Sequence, residues 1–377
     1  MVKHSSPLTL PRMTARQLYR RPVRTLLTTL GVALGVVAIV TFSTIVQGMW
    51  STVDTWIHLD ETDLIVFRGD VAGDIFSVLD EEETAAKLTA VPGVAEAVGT
   101  LWHILPVEDQ PFFVAEGLHL EDIQRRFDGL LEGRHPTMDN EVLLGSIAQR
   151  VLKKNVGDPL RIQGKDFQVV GVFQTGVVFS DGAIILPLRR LQELAAREGR
   201  VTAFQLRLEE GNDLDTVEAE IERRHPELVA ISDVEEYNKV DQGLEILDSM
   251  VWMITVAAVV IGSIIIANTM WMSVLERTRQ IGLLRAVGWS RGRIVLLVVL
   301  EAVGVGLLAC ALGCVLGVAL AKLMMTLPVS EQFVEPRFSA LPFVLALATA
   351  GVLSVVGAAL PAWRAARISP AEALRYE

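Results

Sequence analysis

The chain has 377 residues, 51% of them hydrophobic, and a formal net charge of −11. So apolar a composition argues against a water-soluble enzyme, and the negative balance gives no reason to expect nucleic acid as a partner. The charge is unevenly spread: residues 51–246 hold 38 acidic and 18 basic side chains, a net of −20, and the rest of the chain a net of +9.

Taken in chain order, residues 1–24 form a basic lead-in with Arg12, Arg16, Arg20 and Arg21 interleaved among Leu10, Met13, Leu18 and Tyr19. This pattern suits either an amphipathic segment held on anionic headgroups or a plain topology signal. A first apolar run, 25–53, is long enough to cross a bilayer, which takes roughly 20 residues. A cleaved signal peptide is the alternative, but its apolar stretch is shorter, about 7–15 residues, and ends in small residues; this run ends QGMWSTV.

Residues 54–246 read as an extracytoplasmic α/β (α+β) domain. Asp63–Phe67 is strand-like, Asp80–Glu83 place acids at a helix start, and Pro92-Gly93 stops that helix before Val94–Val98 resumes as extended chain. The same grammar returns later: Phe204, Leu206 and Leu208 alternate, Leu214, Val217 and Ile221 carry helical spacing, Pro226 ends it, and Leu228–Ile231 resumes. Between the two copies, Leu160–Ile162, Gln168–Phe173 and Ala183–Leu188 read as strands, while His103–Phe113 and Thr175–Asp181 read as loops. Two lobes are expected, one of them discontinuous in sequence.

Three more apolar runs follow, 247–275, 294–325 and 339–362, separated by a basic segment, 276–293, and a short outer loop, 326–338; residues 363–377 form a tail. The segment Glu276–Ile294, ERTRQIGLLRAVGWSRGRI, sets five arginines against one acid. Short Arg-rich loops resist translocation, so it, the lead-in and the tail are expected on the cytoplasmic side and the acidic domain outside. Gly31-x-x-x-Gly35 and Gly313-x-x-x-Gly317 permit close helix approach, within the chain or at a subunit seam. Asn268 is expected to face neighbouring helices because lipid offers it no partner. Glu301 is expected at the inner interface near the arginines, with a buried, paired carboxylate as the alternative. Cys310 and Cys314, at i and i+4 in one run, read as packing residues.

Chemistry motifs are missing. Gly164-Lys165 lacks the rest of a phosphate loop, no Ser sits in a G-x-S-x-G elbow, and the six histidines show no metal-ligand spacing. No catalytic residue, metal or cofactor is expected in this chain.

The order of one span, a large outer domain and three spans, together with RRPVRTLLTTLGVALGV, the Glu276–Ile294 segment and the ending PAWRAARISPAEALRYE, resembles the permease subunits of the MacB/FtsX/LolCE (type VII) class of ABC transporters. The resemblance covers essentially the whole chain. It implies a Porter lobe in two halves, 60–116 and 201–240, with a Sabre insert, 117–200. It also implies that Glu276, Arg277, Arg279, Gln280, Ile281, Gly282, Leu284, Arg285, Ala286 and Gly288 belong to an element docking on a separate ABC ATPase, present in two copies, which binds ATP and Mg. Gln280 stands where that family usually has a second acid. The family further implies a second permease subunit, identical or homologous, and a periplasmic adaptor or substrate protein. Its location is the bacterial inner membrane, and its action is mechanotransmission on amphiphilic cargo such as a peptide, antibiotic, lipid or lipoprotein. An FtsX-like transducer that activates an extracytoplasmic partner, such as a cell-wall hydrolase, is the alternative.

Overall fold

The computed structural model describes residues 22–57, 62–69, 77–233, 236, 243–324 and 336–369; the basic lead-in before residue 22, most of the expected outer loop (326–335 of 326–338) and the last eight positions of the tail (370–377) lie outside the described residues. The first helix, α1 (Pro22–Ile57), lacks charged residues between Arg24 and Asp54. The chain divides into a helical unit, which takes α1 up to Thr44, Asp248–Leu323 and the residues from Phe338, and an outer unit, which takes Ile45–Leu247 with Met324–Arg337.

The outer unit runs β1 (Leu64–Arg68), β2 (Leu79–Asp80), α2 (Glu81–Thr89), β3 (Val94–Val107), β4 (Gln110–Leu118), α3 (Leu120–Arg126), β5 (Leu130–Gly133), β6 (Glu141–Gly145) and α4 (Ser146–Leu152). It continues with β7 (Pro159–Ile162), β8 (Lys165–Phe173), α5 (Val178–Asp181), β9 (Ile184–Pro187), α6 (Leu188–Ala195), β10 (Arg200–Val201), β11 (Ala203–Leu208), α7 (Leu214–Arg224) and β12 (Leu228–Ile231). One ten-stranded sheet follows the order β12-β1-β11-β3-β4-β9-β6-β8-β5, with β7 bridging β3 and β8. The repeated grammar has a spatial meaning. The late strands β11 and β12 flank β1 in antiparallel register, Leu64 opposite Leu206 and Ile65 opposite Ile231. The inserted half is mixed, with β4–β9 and β6–β8 parallel and β6–β9 antiparallel.

The halves share β3: Val94–Thr100 pairs with β11, and from Leu101 onward the same strand pairs with β4. This corrects the expectation of a loop at His103–Phe113, which is a β-hairpin. Pro106 misleads as a strand breaker; it falls where the β3–β4 register shifts between Leu105 and Val107, a bulge that dispenses with its missing N–H. The other expected loop, Thr175–Asp181, is a turn running into α5, and buried Asp181 accepts from Thr175 N at 2.6 Å, Thr175 Oγ1 at 3.0 Å and Gly176 N at 3.2 Å. At the start of α2, Asp80 caps the helix by accepting from Glu83 N at 3.1 Å. Leu64, Val66, Leu88, Phe204, Val217 and Ile221 share one core with the inserted half, whereas Ile65, Phe67 and Trp102 on the other face pack with Met49, Trp50 and Val53 of α1.

A three-residue link ties α2 to α3 and α6. His119 Nε2 lies 2.7 Å from Glu81 Oε1, and Gln192 Nε2 donates to Glu81 Oε2 at 2.7 Å. The imidazole holds Glu81 below the usual carboxylate range, and the carboxylate raises His119 above the usual imidazole value. The contribution of Glu81 is lost as pH falls through its depressed pKa. That of His119 is complete below the ordinary imidazole pKa and lost as pH rises through the raised one. His119 is more than half exposed, so the effect stays below about 1 kcal/mol. His119→Gln should therefore flatten the alkaline limb of a stability-versus-pH curve and shrink the acid limb, of which the Gln192 hydrogen bond to Glu81 keeps a part. An unchanged alkaline limb would show that the link does not act.

The helical unit consists of α1, α8 (Gly243–Glu276), the short α9 (Thr278–Ala286), α10 (Arg291–Met324) and α11 (Ala340–Arg367). Four of these, all but α9, are long and apolar enough to span a membrane. Small residues set their spacing. A Cβ on Gly31 or Gly35 would stand 3.2 Å from Ile265 or 3.0 Å from Ala258, both on α8. On α10, a Cβ at Gly313 would stand 2.5 Å from Val36 Cβ, and at Gly317 2.9 Å from Val40 Cβ, both on α1. All four glycines face helices of their own chain. Thr41 Oγ1 crosses the second contact, donating to the Gly317 carbonyl at 3.1 Å, and Ser263 Oγ joins α8 to α11 through the Leu353 carbonyl at 3.3 Å. Gly313→Val should force α1 and α10 apart at a cost of about 1–3 kcal/mol. It would be read as a lower melting temperature in detergent, beside Gly351→Ala, which meets open space and should be neutral. Equal melting temperatures for the two would remove Gly313 from the seam.

Candidate functional site

The Arg-rich segment forms a joint at one end of the helical unit. α8 ends at Glu276, Arg277 turns the chain with φ −111° and ψ 15°, and α9 follows. Gly288 closes α9 at φ +95°, a conformation that favours glycine. Its N–H donates to the Arg285 carbonyl at 3.1 Å, and Arg285 Nη1 donates to the Trp289 carbonyl at 3.0 Å. The element is therefore capped and has two faces.

Ile281 and Gly282 turn inward and are buried, and Ile281 sits in a core with Met270, Val274, Ile294 and Val298, with Leu284 and Trp289 at its edge. Arg279, Gln280, Ala286 and Gly288 are exposed, and Arg277, Leu284 and Arg285 are intermediate. Two outward residues are added that the sequence analysis did not single out: Leu283 and Val287, 58% and 76% exposed. Their i, i+4 spacing opposite buried Ile281 was the available signal.

Ion pairs anchor the joint. Glu276 accepts from Arg24 on α1 through both oxygens, at 2.6 and 2.9 Å. Arg277 Nη1 donates to Glu301 on α10 at 3.1 Å, and Ser273 Oγ to the same carboxylate at 3.4 Å. Glu301 is the buried, paired carboxylate of the alternative reading, roughly 15 Å along α10 by helix rise; its helix face turns toward α8 and α9, and Arg277 supplies the counter-charge. Arg364 stacks 4.7 Å over Trp271. Together these contacts bring the start of α1, the end of α8 and the end of α11 to one end of the bundle, as alternating spans require. Within its own chain Asn268 is exposed on the outside of α8, on the side of Met253, Val260 and Ile264. The inward stripe of α8 is already filled by Ser263, Ile266, Met270 and Val274, and Asn268 lies about 200° around the helix from Ile266.

The model of the MacB-like periplasmic core domain matches residues 25–224, and that of the FtsX-like permease C-terminal domain matches 252–370. The chain belongs to the MacB/FtsX family of ABC transporter permeases. Among its relatives, an uncharacterized ABC transporter permease of Methanocaldococcus jannaschii is 29% identical over 280 residues, covering 72% of this chain and 67% of its own length. The macrolide export ATP-binding/permease protein MacB of Brucella melitensis is 28% identical over 399 residues, covering 97% of this chain and 60% of its own. The chain thus spans about three-fifths of that MacB-family relative. The crystal structure of the periplasmic region of MacB from Actinobacillus actinomycetemcomitans aligns with 48% of this chain and 93% of its own, at 14% identity and a TM-score of 0.36. In this MacB/FtsX permease the α8–α9–α10 joint lies within the FtsX-like match, and the ten-stranded sheet falls largely within the MacB-like one. Among the described residues no cluster of His, Cys, Asp or Glu could hold a metal ion.

Proposed function

We propose that this permease is the membrane subunit of an ABC machine in which α9 docks on a separate ABC ATPase, two copies per assembly, with ATP and Mg held by the ATPase. Hydrolysis moves the helices, and the outer domain works on amphiphilic cargo (peptide, antibiotic, lipid or lipoprotein) outside the inner membrane, with a periplasmic adaptor or substrate protein as a further partner. The observation that carries this reading is the two-faced α9: a capped helix between two spans that anchors one side in the bundle and offers Leu283 and Val287 on the other. Docking of that kind is helix-in-groove recognition, with apolar anchors one turn apart.

A second permease subunit packs against the outer face of α8 in this reading. Asn268 supports it, since an exposed amide in an apolar span gains from a partner amide across a seam. With Cys310 and Cys314 replaced, a cysteine at Asn268 should cross-link two permease subunits in native membranes, and one at Val355 on α11 should not. The reverse pattern would move the seam to α11.

Both termini and α9 are cytoplasmic in this reading. Purification of the tagged chain from its native membranes tests the assembly: an ABC ATPase should co-purify in equal amount. A pure permease with no ATPase would contradict it.

A further inference from the structure

We infer that Arg277 and Glu301 are positioning residues that pin α9 to α10, so that α9 cannot tilt without moving the third span; this rests on α9 being the ATPase-docking element. The two adjacent residues of the joint reach different helices, Glu276 to Arg24 on α1 and Arg277 to Glu301 on α10. The two ties differ in kind. Arg24 and Glu276 keep 31% and 26% of their side-chain surface, open to screening by water and salt. Arg277 and Glu301 keep 21% and 10%.

Charge buried in a membrane segment marks function by default. Stability does not account for this pair, because apolar side chains of similar volume would hold the helices as well or better. What an ion pair adds is direction: a charge-assisted hydrogen bond resists sliding and rotation that an apolar contact would allow. A cavity of about 40 Å³ lies beside the pair, lined also by Met270, Ser273, Gln280 and Leu284. Ser273 Oγ on α8 donates to the other carboxylate oxygen at 3.4 Å, so the carboxylate keeps its aim at Arg277 and a displacement of Arg277 is passed to α10.

The test uses the permease with its co-purified ATPase, Cys310 and Cys314 replaced by Ala, and a single cysteine at exposed Lys322 in the last turn of α10. Its labelling rate by a water-soluble maleimide is compared without nucleotide and after trapping with ATP and vanadate. In the otherwise unaltered complex the two rates should differ at least twofold; equal rates would overturn the docking reading and the pin with it. In Arg277→Met/Glu301→Met, which strands no charge, the ratio of rates should fall to one in the assembled complex. The exchange Arg277→Glu/Glu301→Arg should restore at least half of the lost response. A double-methionine complex with an unchanged ratio would overturn the pin and leave the docking reading standing. A double-methionine chain that fails to assemble, or an exchange variant that stays at a ratio of one, would reduce the pair to packing and overturn it as well.

Discussion

Leu283→Glu/Val287→Glu is expected to insert in the membrane normally yet lose its ATPase. Both side chains project from α9 into solvent, 58% and 76% exposed, so the substitution disturbs little inside the permease. At a docked interface each is worth about 1.5–3 kcal/mol of apolar burial. Losing both amounts to roughly 3 kcal/mol or more, about a hundredfold or greater in Kd. Gly282→Trp acts differently: Gly282 is buried on the inward face, so an indole there displaces α9 from the bundle and lowers the stability of the permease along with its coupling. Comparing the two separates docking from anchoring. A double-glutamate variant that retains stoichiometric ATPase would refute the outward face as the contact.

The second large effect concerns the outer domain. Arg126 on α3 and Glu116 on β4 form a pair 2.6 Å apart with side chains 6% and 3% exposed. Glu116→Met leaves a buried guanidinium without its carboxylate, which costs about 3–5 kcal/mol, whereas Glu116→Met/Arg126→Met removes both charges and should be near neutral or stabilising. Hydrogen exchange at the β4 amides of the full-length protein would show the first as a loss of protection by about two to four orders of magnitude and the second as little change. Equal loss in both would mean that the shape of the pair, and not its charge balance, holds α3 on the sheet.

What the sequence showed and what it hid divide along physical lines. The strands and helices of the outer unit were legible wherever one face is buried, because alternation or helical spacing then records the core directly: Phe204, Leu206, Val217 and Ile221 are buried where the pattern put them. The β3–β4 hairpin was not legible, because Pro106 signals a break and only a bulge makes it compatible with a strand. Long-range pairing of β1 with β11 leaves no local mark beyond the repeated grammar.

In the membrane the problem is different. The helices are apolar all round, so composition identifies spans without saying which face meets which neighbour. For that reason neither the burial of Glu301 against Arg277 nor the outward position of Asn268 within its own chain was legible. The glycine pairs could be read as close-contact points but not assigned partners, which the structure finds on α8 and α1. In α9 the helical spacing was legible, and its division into an anchored and an outward face was not. The joint's tie to α1 through Arg24 had no signal in the local pattern.

The central claim is that α9 is the surface on which ATP hydrolysis acts. The most direct measurement places a photo-cross-linking amino acid in turn at Leu283, Val287 and Ile281 and irradiates native membranes. The outward positions 283 and 287 should each yield a cross-link to an ABC ATPase, and the buried position 281 should yield none. Cross-links from the outward positions to lipid alone, or to a protein that is not an ATPase, would contradict the account.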